Sequence, residues 1–254
     1  FRKWFVGILP ALLDDTVVNH EILVLIGEQG LYKTTWFNFL LPPELRCYFY
    51  TKTNSDRLNK DDLFSLTEFA LICFEELDGM RPAELNQLKA LITKDSILER
   101  RPYARNAETF VRRASFAATV NDSQILTDRT GSRRFLCFET LRIDYTSGID
   151  HTAIYAQALA LYKQGFRYWF ADQDITEINE NNEPFQQSSP EAELLFTYFR
   201  KPVRFEAYIL LSTSEIMSKI AERTRYSVTT MSVNQLGKVL KLSLIHISEP
   251  TRRS

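Results

Sequence analysis

The stretch from Ile22 to Leu41 narrows the possible folds more than any other. It reads ILVLI, then GEQGLYKTT, then WFNFLL. Five consecutive apolar residues without polar alternation describe a strand covered on both faces. A glycine-containing loop that ends in Lys-Thr and opens a helix is the pattern of a phosphate-binding loop. In such a loop the backbone N–H groups point inward, and the positive end of the helix faces the phosphates. Gly27, Glu28, Gln29, Gly30, Leu31, Tyr32, Lys33, Thr34 and Thr35 are therefore the expected cradle for ATP. Lys33 reaches the β- and γ-phosphates, and the Thr34 hydroxyl ligates Mg²⁺. Against the pattern G-x-x-x-x-G-K-S/T, Tyr32 replaces the second glycine. Its Cβ restricts the loop, and Gly30 two positions earlier is the source of flexibility. A chance glycine-containing turn before Lys33-Thr34 is the plain alternative.

A second apolar run, 69–74 (FALICF), ends in Glu75-Glu76, 42 residues after Lys33. A carboxylate at such a strand end holds the Mg²⁺ shell. The next one orients and deprotonates the attacking water. Glu75 takes the metal role and Glu76 the water role. The usual metal-side residue is Asp, so Glu75 is one methylene longer. An acidic strand end kept for solubility is the competing reading.

Organisation follows the same logic. Strand candidates at 22–26, 47–50 (CYFY), 69–74, 115–120 (SFAATV) and 135–138 (FLCF) alternate with helical stretches near 33–41 and 83–93. That alternation predicts an α/β layered sheet with helices on both faces. Beyond Asp150 the pattern turns helical at 151–164, 190–200, 213–223 and 232–241, a smaller mainly helical region. Ser212 and Glu215 have capping-box spacing for the third of these. The expected division is a nucleotide domain over 1–145, a helical extension and acidic linker over 146–190, and a helical unit over 191–241. The N/E/Q/S-rich stretch 177–191 carries the linker character. The last unit could be a helix-turn-helix or winged-helix fragment, with Asn234, Gln235 and Lys238 outward. An amphipathic bundle without a nucleic-acid role fits as well.

Composition removes other classes. With 44% hydrophobic and 25% charged residues and net charge −1, the chain is globular and not disordered. The longest apolar run, Phe5 to Leu13, is broken by Pro10 and is about half of what a membrane span needs. Cys47, Cys73 and Cys137 are odd in number and widely spaced, which excludes a disulfide framework and a Cys-rich zinc site. All three are expected as buried small side chains in a reducing cytoplasm. His20 and His151 lack partners at catalytic spacing and enter no site. The chain starts at Phe1 rather than Met, so its true N-terminus is expected upstream. Residues 242–252, LSLIHISEPTR, resemble the translation of a transposon-end sequencing adapter. Residues 242–254, His246 included, are accordingly given no function.

Charge is unevenly spread. Residues 61–80 carry six carboxylates and no base, residues 100–134 carry eight arginines against three carboxylates, and residues 172–193 carry seven carboxylates and no base. In the basic segment, Arg100, Arg101, Tyr103, Arg105, Arg112 and Arg113 combine cationic and aromatic side chains in an expected loop or hairpin. That mixture suits the phosphates and bases of single-stranded nucleic acid. A solvated basic face or an intersubunit salt-bridging surface is the alternative.

The segments GEQGLYKTT, FEELDGM, ERRPYAR, ATVN and TDRTGSRRF occur in that order over roughly residues 1–145. Together they resemble the P-loop ATPase domain of the virulence-associated E family, related to superfamily III helicases and mobile-element primase-helicases. The resemblance implies an AAA+-like, three-layer P-loop NTPase fold and a nucleotide hydrolase acting on DNA as a homo-oligomeric ring, a hexamer being one option, with sites between subunits. On that reading Asn121 senses the γ-phosphate or positions water, unless it only caps a helix beginning near Asp122. Arg133 or Arg134, after the turn Thr130-Gly131-Ser132, enters a neighbour's site and stabilises transition-state charge. The resulting expectation is an ATP-dependent translocase moving on single-stranded DNA. A nucleotide-binding initiator or loader scaffold with little turnover is the second reading, favoured by Tyr32 and Glu75. A small-molecule kinase is a distant third, since no acceptor-pocket signature is visible.

Overall fold

The computed structural model describes residues 1–53, 60–101, 103–122, 124–126, 132–187, 190–200, 209–224, 233–234, 236–237 and 239–240. The Thr130-Gly131 turn, Gln235, Lys238 and the adapter-like stretch 242–254 lie outside the described residues. Phe1–Gln187 form one compact unit and Ser188–Ser254 a second.

The first unit begins with α1 (Arg2–Leu13), β1 (Ile22–Ile26), α2 (Lys33–Leu40) and β2 (Phe49–Lys52). It continues with α3 (Lys60–Glu68), β3 (Leu71–Phe74), α4 (Pro82–Ile92), β4 (Ser96–Glu99), β5 (Glu108–Val111) and β6 (Ser115–Val120). Strand β7 (Phe135–Glu139) and helices α5 (His151–Lys163) and α6 (Asp172–Asn182) complete it. The main sheet runs β2-β3-β6-β1-β7, and every neighbouring pair is parallel. Strands β4 and β5 form a separate antiparallel hairpin.

Every residue of β1, β3 and β6 is buried, as the unbroken apolar runs predict for a sheet covered on both faces. The two-residue period divides them. Ile22, Val24 and Ile26 pack in one core with Leu66 of α3 and Leu85, Leu88 and Ile92 of α4. Leu23 and Leu25 face the other, with Trp4, Phe5 and Ile8 of α1, Phe37 and Leu40 of α2, and Ala158 of α5. The fold is thus α/β, a parallel sheet between two helical layers.

Several elements depart from the sequence expectation. The apolar run broken by Pro10 belongs to α1, whose buried face of Trp4, Phe5, Val6, Ile8 and Ala11 outweighs the hydrogen bond that proline forfeits. Trp4 Nε1 also donates to the Phe116 carbonyl, 3.0 Å away, tying α1 to the central strand β6. Strand β2 starts at Phe49, not at 47, because a 3-10 turn over Pro43–Tyr48 takes up Cys47. Cys47 is exposed; only Cys73 and Cys137 are the buried thiols expected of all three. Helices α3 and α6 have no counterpart in the apolar patterning.

In the second unit, α7 (Pro190–Tyr198) and α8 (Thr213–Arg223) surround a small core of Leu195, Ile216, Met217, Ile220, Leu236 and Leu240. The capping box at the start of α8 is formed: Ser212 N donates to Glu215 Oε2 (2.6 Å), and Glu215 N donates to Ser212 Oγ (3.3 Å). Among the described residues no helix is long and apolar enough to cross a membrane.

Candidate functional site

Strand order decides where a site can form. In an open parallel sheet, ligands bind beyond the carboxyl ends of the strands, where neighbouring connections diverge. Here β1 lies between β6 and β7, with Ile26 level with Val120 on one side and Glu139 on the other. The chain leaves β1 at Gly27, and Gly27 N donates to the Val120 carbonyl at 3.1 Å. A Cβ on Gly27 would stand 2.4 Å from the Thr140 carbonyl oxygen, so glycine is required there by close backbone approach.

Beyond these strand ends lies a cleft of about 280 Å³, lined by Gln29, Gly30, Leu31, Tyr32, Lys33, Thr34, Thr35, Glu75, Glu76, Thr119 and Asn121. Lys33 is 6% exposed and donates to the carbonyls of Gly27 (2.5 Å) and Glu28 (2.8 Å) and to Asn121 Oδ1 (3.2 Å). Burial lowers its pKa, and the Asp78 carboxylate opposes that shift. The Thr34 hydroxyl donates to Glu75 Oε1 at 2.7 Å. Glu75 is positioned by the sheet itself: Phe74 is level with Ala118, and Glu75 N donates to the Lys52 carbonyl at 2.9 Å. The loop thus brings Lys33, Thr34, Glu75, Glu76 and Asn121 to one place. Asn121 faces Lys33 rather than capping a helix, because the described residues from Asp122 to Leu126 are not helical.

Tyr32 adopts φ +60°, ψ +29°, the left-handed conformation natural to glycine. The loop therefore keeps the backbone shape of the glycine it lacks, at a cost of about 1–2 kcal/mol. The ring of Tyr145, in the segment after β7, lies 4.2 Å from that of Tyr32, and such a contact returns about 0.5–1.5 kcal/mol. Glu76 is also left-handed, at φ +53°, which turns the chain sharply after β3. Backbone strain of this kind collects at functional sites.

No side chain caps the start of α2, so the first-turn N–H groups remain available to an anion. Among the described residues no group of three His, Cys, Asp or Glu side chains could hold a metal by itself. One hydroxyl and one carboxylate suit Mg²⁺ instead, which keeps waters and takes its other ligands from phosphate oxygens. Asp78 and Tyr145 stand beside the cleft lining, next to Lys33 and Tyr32, without having been expected. Asp78 Oδ2 accepts from Asp122 N at 3.3 Å, joining the turn after β3 to the end of β6. The acidic run at 75–78 was the available signal for Asp78; nothing local marks Tyr145.

Arg133 and Arg134 sit in a 3-10 turn before β7, whose first residue is level with Ile22. They are therefore at the opposite end of the sheet from the cleft, about 13 Å down the strand. Arg134 is half-buried and lies near Glu21 and His20, whereas Arg133 is exposed. The turn is pinned by α6: Asn182 Nδ2 donates to the carbonyls of Ser132 (3.0 Å) and Phe135 (2.8 Å), and Ser132 Oγ donates to Asn179 Oδ1 (3.2 Å).

The basic segment separates into two groups. Arg100, Arg101, Tyr103 and Arg105 occupy the connection of the β4–β5 hairpin and are exposed, Tyr103 fully. Arg101 stacks on Phe110 at 4.7 Å. Arg112 is a correction. It is fully buried and donates to the carbonyls of Ala114 (3.0 Å), Lys94 (3.0 Å), Ile92 and Asn19. Burial brings its pKa down to about 9. Arg112 therefore presents no guanidinium to a nucleic acid, because it is sealed among backbone carbonyls. Arg113 is only partly buried: it pairs with the exposed Asp15 carboxylate and donates to the Leu12 carbonyl.

The family model described as the virulence-associated protein E-like domain matches residues 1–187. A second, described as a domain of unknown function from B. Theta, matches residues 188–247. No curated protein matches the chain. Among solved structures, the apo structure of the NrS-1 C terminal region is 13% identical over 92% of this chain and 57% of that one, with TM-score 0.46. Two A form apo structures of that region have TM-scores of 0.42 and 0.40, at 17% identity over 76% of this chain and 48% of that one, and 16% over 72% and 38%. The chain spans between 38% and 57% of the length of these structures. On the match over its whole first unit, the chain belongs to the virulence-associated protein E-like family.

Proposed function

We propose that this chain is the ATP-hydrolysing motor of a mobile-element primase-helicase, acting on single-stranded DNA as a cytoplasmic homo-oligomeric ring. The observation that carries the reading is the convergence of Lys33, the Thr34–Glu75 pair and Asn121 at the ends of three adjacent strands. The residues fit a magnesium nucleotide: Gly27 admits no Cβ, and the helix start is uncapped. Held by Thr34 and Glu75, Mg²⁺ would neutralise charge on the β- and γ-phosphates.

The protein's own groups do the rest. Lys33 exchanges its loop carbonyls for phosphate oxygens, a stronger charge-assisted pairing. Glu76, turned into the cleft, orients water and accepts its proton. Asn121 links the Lys33 ammonium to the γ-phosphate position. Arg133, exposed and remote from its own cleft, serves a neighbouring subunit's site, while Arg134 stays with Glu21. The hairpin arginines and Tyr103 contact the strand.

ATP turnover is measured with and without single-stranded DNA in the natural chain and in Lys33→Ala. Turnover stimulated by DNA and lost in the variant is expected; equal residual activity in both removes the mechanism. The strained Tyr32 favours a second reading, a scaffold that binds ATP and oligomerises without releasing phosphate.

A further inference from the structure

The residue that breaks the phosphate-loop pattern is also half of an aromatic surface. Tyr32 lines the cleft and is 52% exposed, and its ring lies 4.2 Å from that of Tyr145. Tyr145 also meets Phe39, nearly parallel at 23° and 6.5 Å, and the Arg46 guanidinium lies over Phe39 at 4.4 Å. Tyr145 is held in place from its own segment. Asp144 Oδ1 accepts from Thr146 N (3.0 Å), Thr146 Oγ1 (2.8 Å) and Ser147 N (3.2 Å), closing the turn around it. A wall of three rings, Tyr32 tilted against Tyr145 and Tyr145 stacked on Phe39, therefore borders the mouth of the phosphate cradle, one residue from the lysine. Tyr32 keeps half of its surface exposed, on a backbone conformation that tyrosine adopts only when its surroundings impose it.

We infer that Tyr32 and Tyr145 form the platform on which the base of a bound nucleoside triphosphate stacks. The inference rests on the nucleotide reading above and adds the part of the ligand that phosphate contacts do not recognise. Every base has a π-face, so such a wall binds a nucleoside without selecting one base by hydrogen bonds. It converts a loop that holds any polyphosphate into one that prefers a nucleotide.

The test compares ATP with inorganic tripolyphosphate, both with Mg²⁺, by calorimetric binding to the full chain, Tyr145→Ala, Tyr145→Phe and Lys33→Ala. Tyr145→Ala is expected to weaken ATP about ten-fold, the scale of one base–aromatic stack, and to leave tripolyphosphate unchanged. Tyr145→Phe, which keeps the ring, binds ATP as the natural chain does. Lys33→Ala weakens both ligands. Equal loss of both ligands in Tyr145→Ala overturns the platform, since the ring then only shapes the loop. No loss of either overturns it too. If neither ligand binds the natural chain, or Lys33→Ala changes nothing, it is the nucleotide reading that falls.

Discussion

Replacing Arg112 by Met separates a structural from a DNA-binding arginine. The natural guanidinium sits at zero exposure with four carbonyl oxygens as partners, over the Phe116 ring at 4.6 Å. Hydrogen bonds from a charged donor contribute about 1.5–3 kcal/mol each, but burying the charge itself costs several kcal/mol. The methionine fills much of the volume and offers no donor, so carbonyls of Ile92, Lys94, Ala114 and Asn19 lose their partner. The net loss is expected at about 3–5 kcal/mol, since carbonyls left unpaired cost about 1–3 kcal/mol each while the penalty for burying the charge is relieved. For a unit of this size that lowers Tm by roughly 10 °C. Urea denaturation of the natural chain, Arg112→Met and Arg101→Ala reads stability, and fluorescence anisotropy reads single-stranded DNA binding over a salt series. Arg101→Ala, at an exposed hairpin position, is expected to move stability by less than about 0.5 kcal/mol. It should weaken DNA binding and reduce the salt slope by about one. An Arg112→Met protein as stable as the natural chain but weaker on DNA would refute the burial argument.

Two further perturbations address the ends of β1. Glu21 lies just before it, among Arg112, Arg134 and Asp174, and burial raises its carboxyl from 4.5 to about 7. The folded state thus binds this proton more tightly than the unfolded chain, so stability present below pH 4.5 is lost as pH rises toward 7. The loss is at most about 3 kcal/mol. Denaturation at pH 5 and pH 7.5 should show Glu21→Gln gaining on the natural chain by up to that amount at the higher pH. A pH-independent difference between the two proteins counts against it. At the other end, Gly27→Ala sets a methyl group 2.4 Å from the Thr140 backbone oxygen. It should cost about 1–3 kcal/mol by thermal denaturation and lower ATP affinity with it; unchanged melting and binding would show that the loop has room.

Local patterning made the central strands and the phosphate loop legible. A strand buried on both faces has no polar alternation to hide it, and ILVLI, LICF and SFAATV stand out for that reason. Helix α8 was readable because Ser212 and Glu215 meet each other within one turn. Helix α6 was not. Its asparagine-rich sequence resembles a linker, yet Asn179 and Asn182 clamp the Ser132–Arg134 turn, and Asn181 Nδ2 donates to the Cys137 carbonyl at 2.8 Å. Those partners lie more than forty residues away along the chain.

The same limit governs the arginines. Composition groups Arg112 with Arg101, since both are cations in one basic stretch, but only packing shows that one guanidinium is sealed under the sheet and the other is exposed. The residues themselves determined that a strand would run into an anion cradle with a lysine and a carboxylate pair to follow. Which side chains reach that cradle, Tyr145 among them, was decided by the parallel register of β6, β1 and β7. A hydrogen-bonded sheet brings distant chain segments to one edge, and no spacing along the sequence records that meeting.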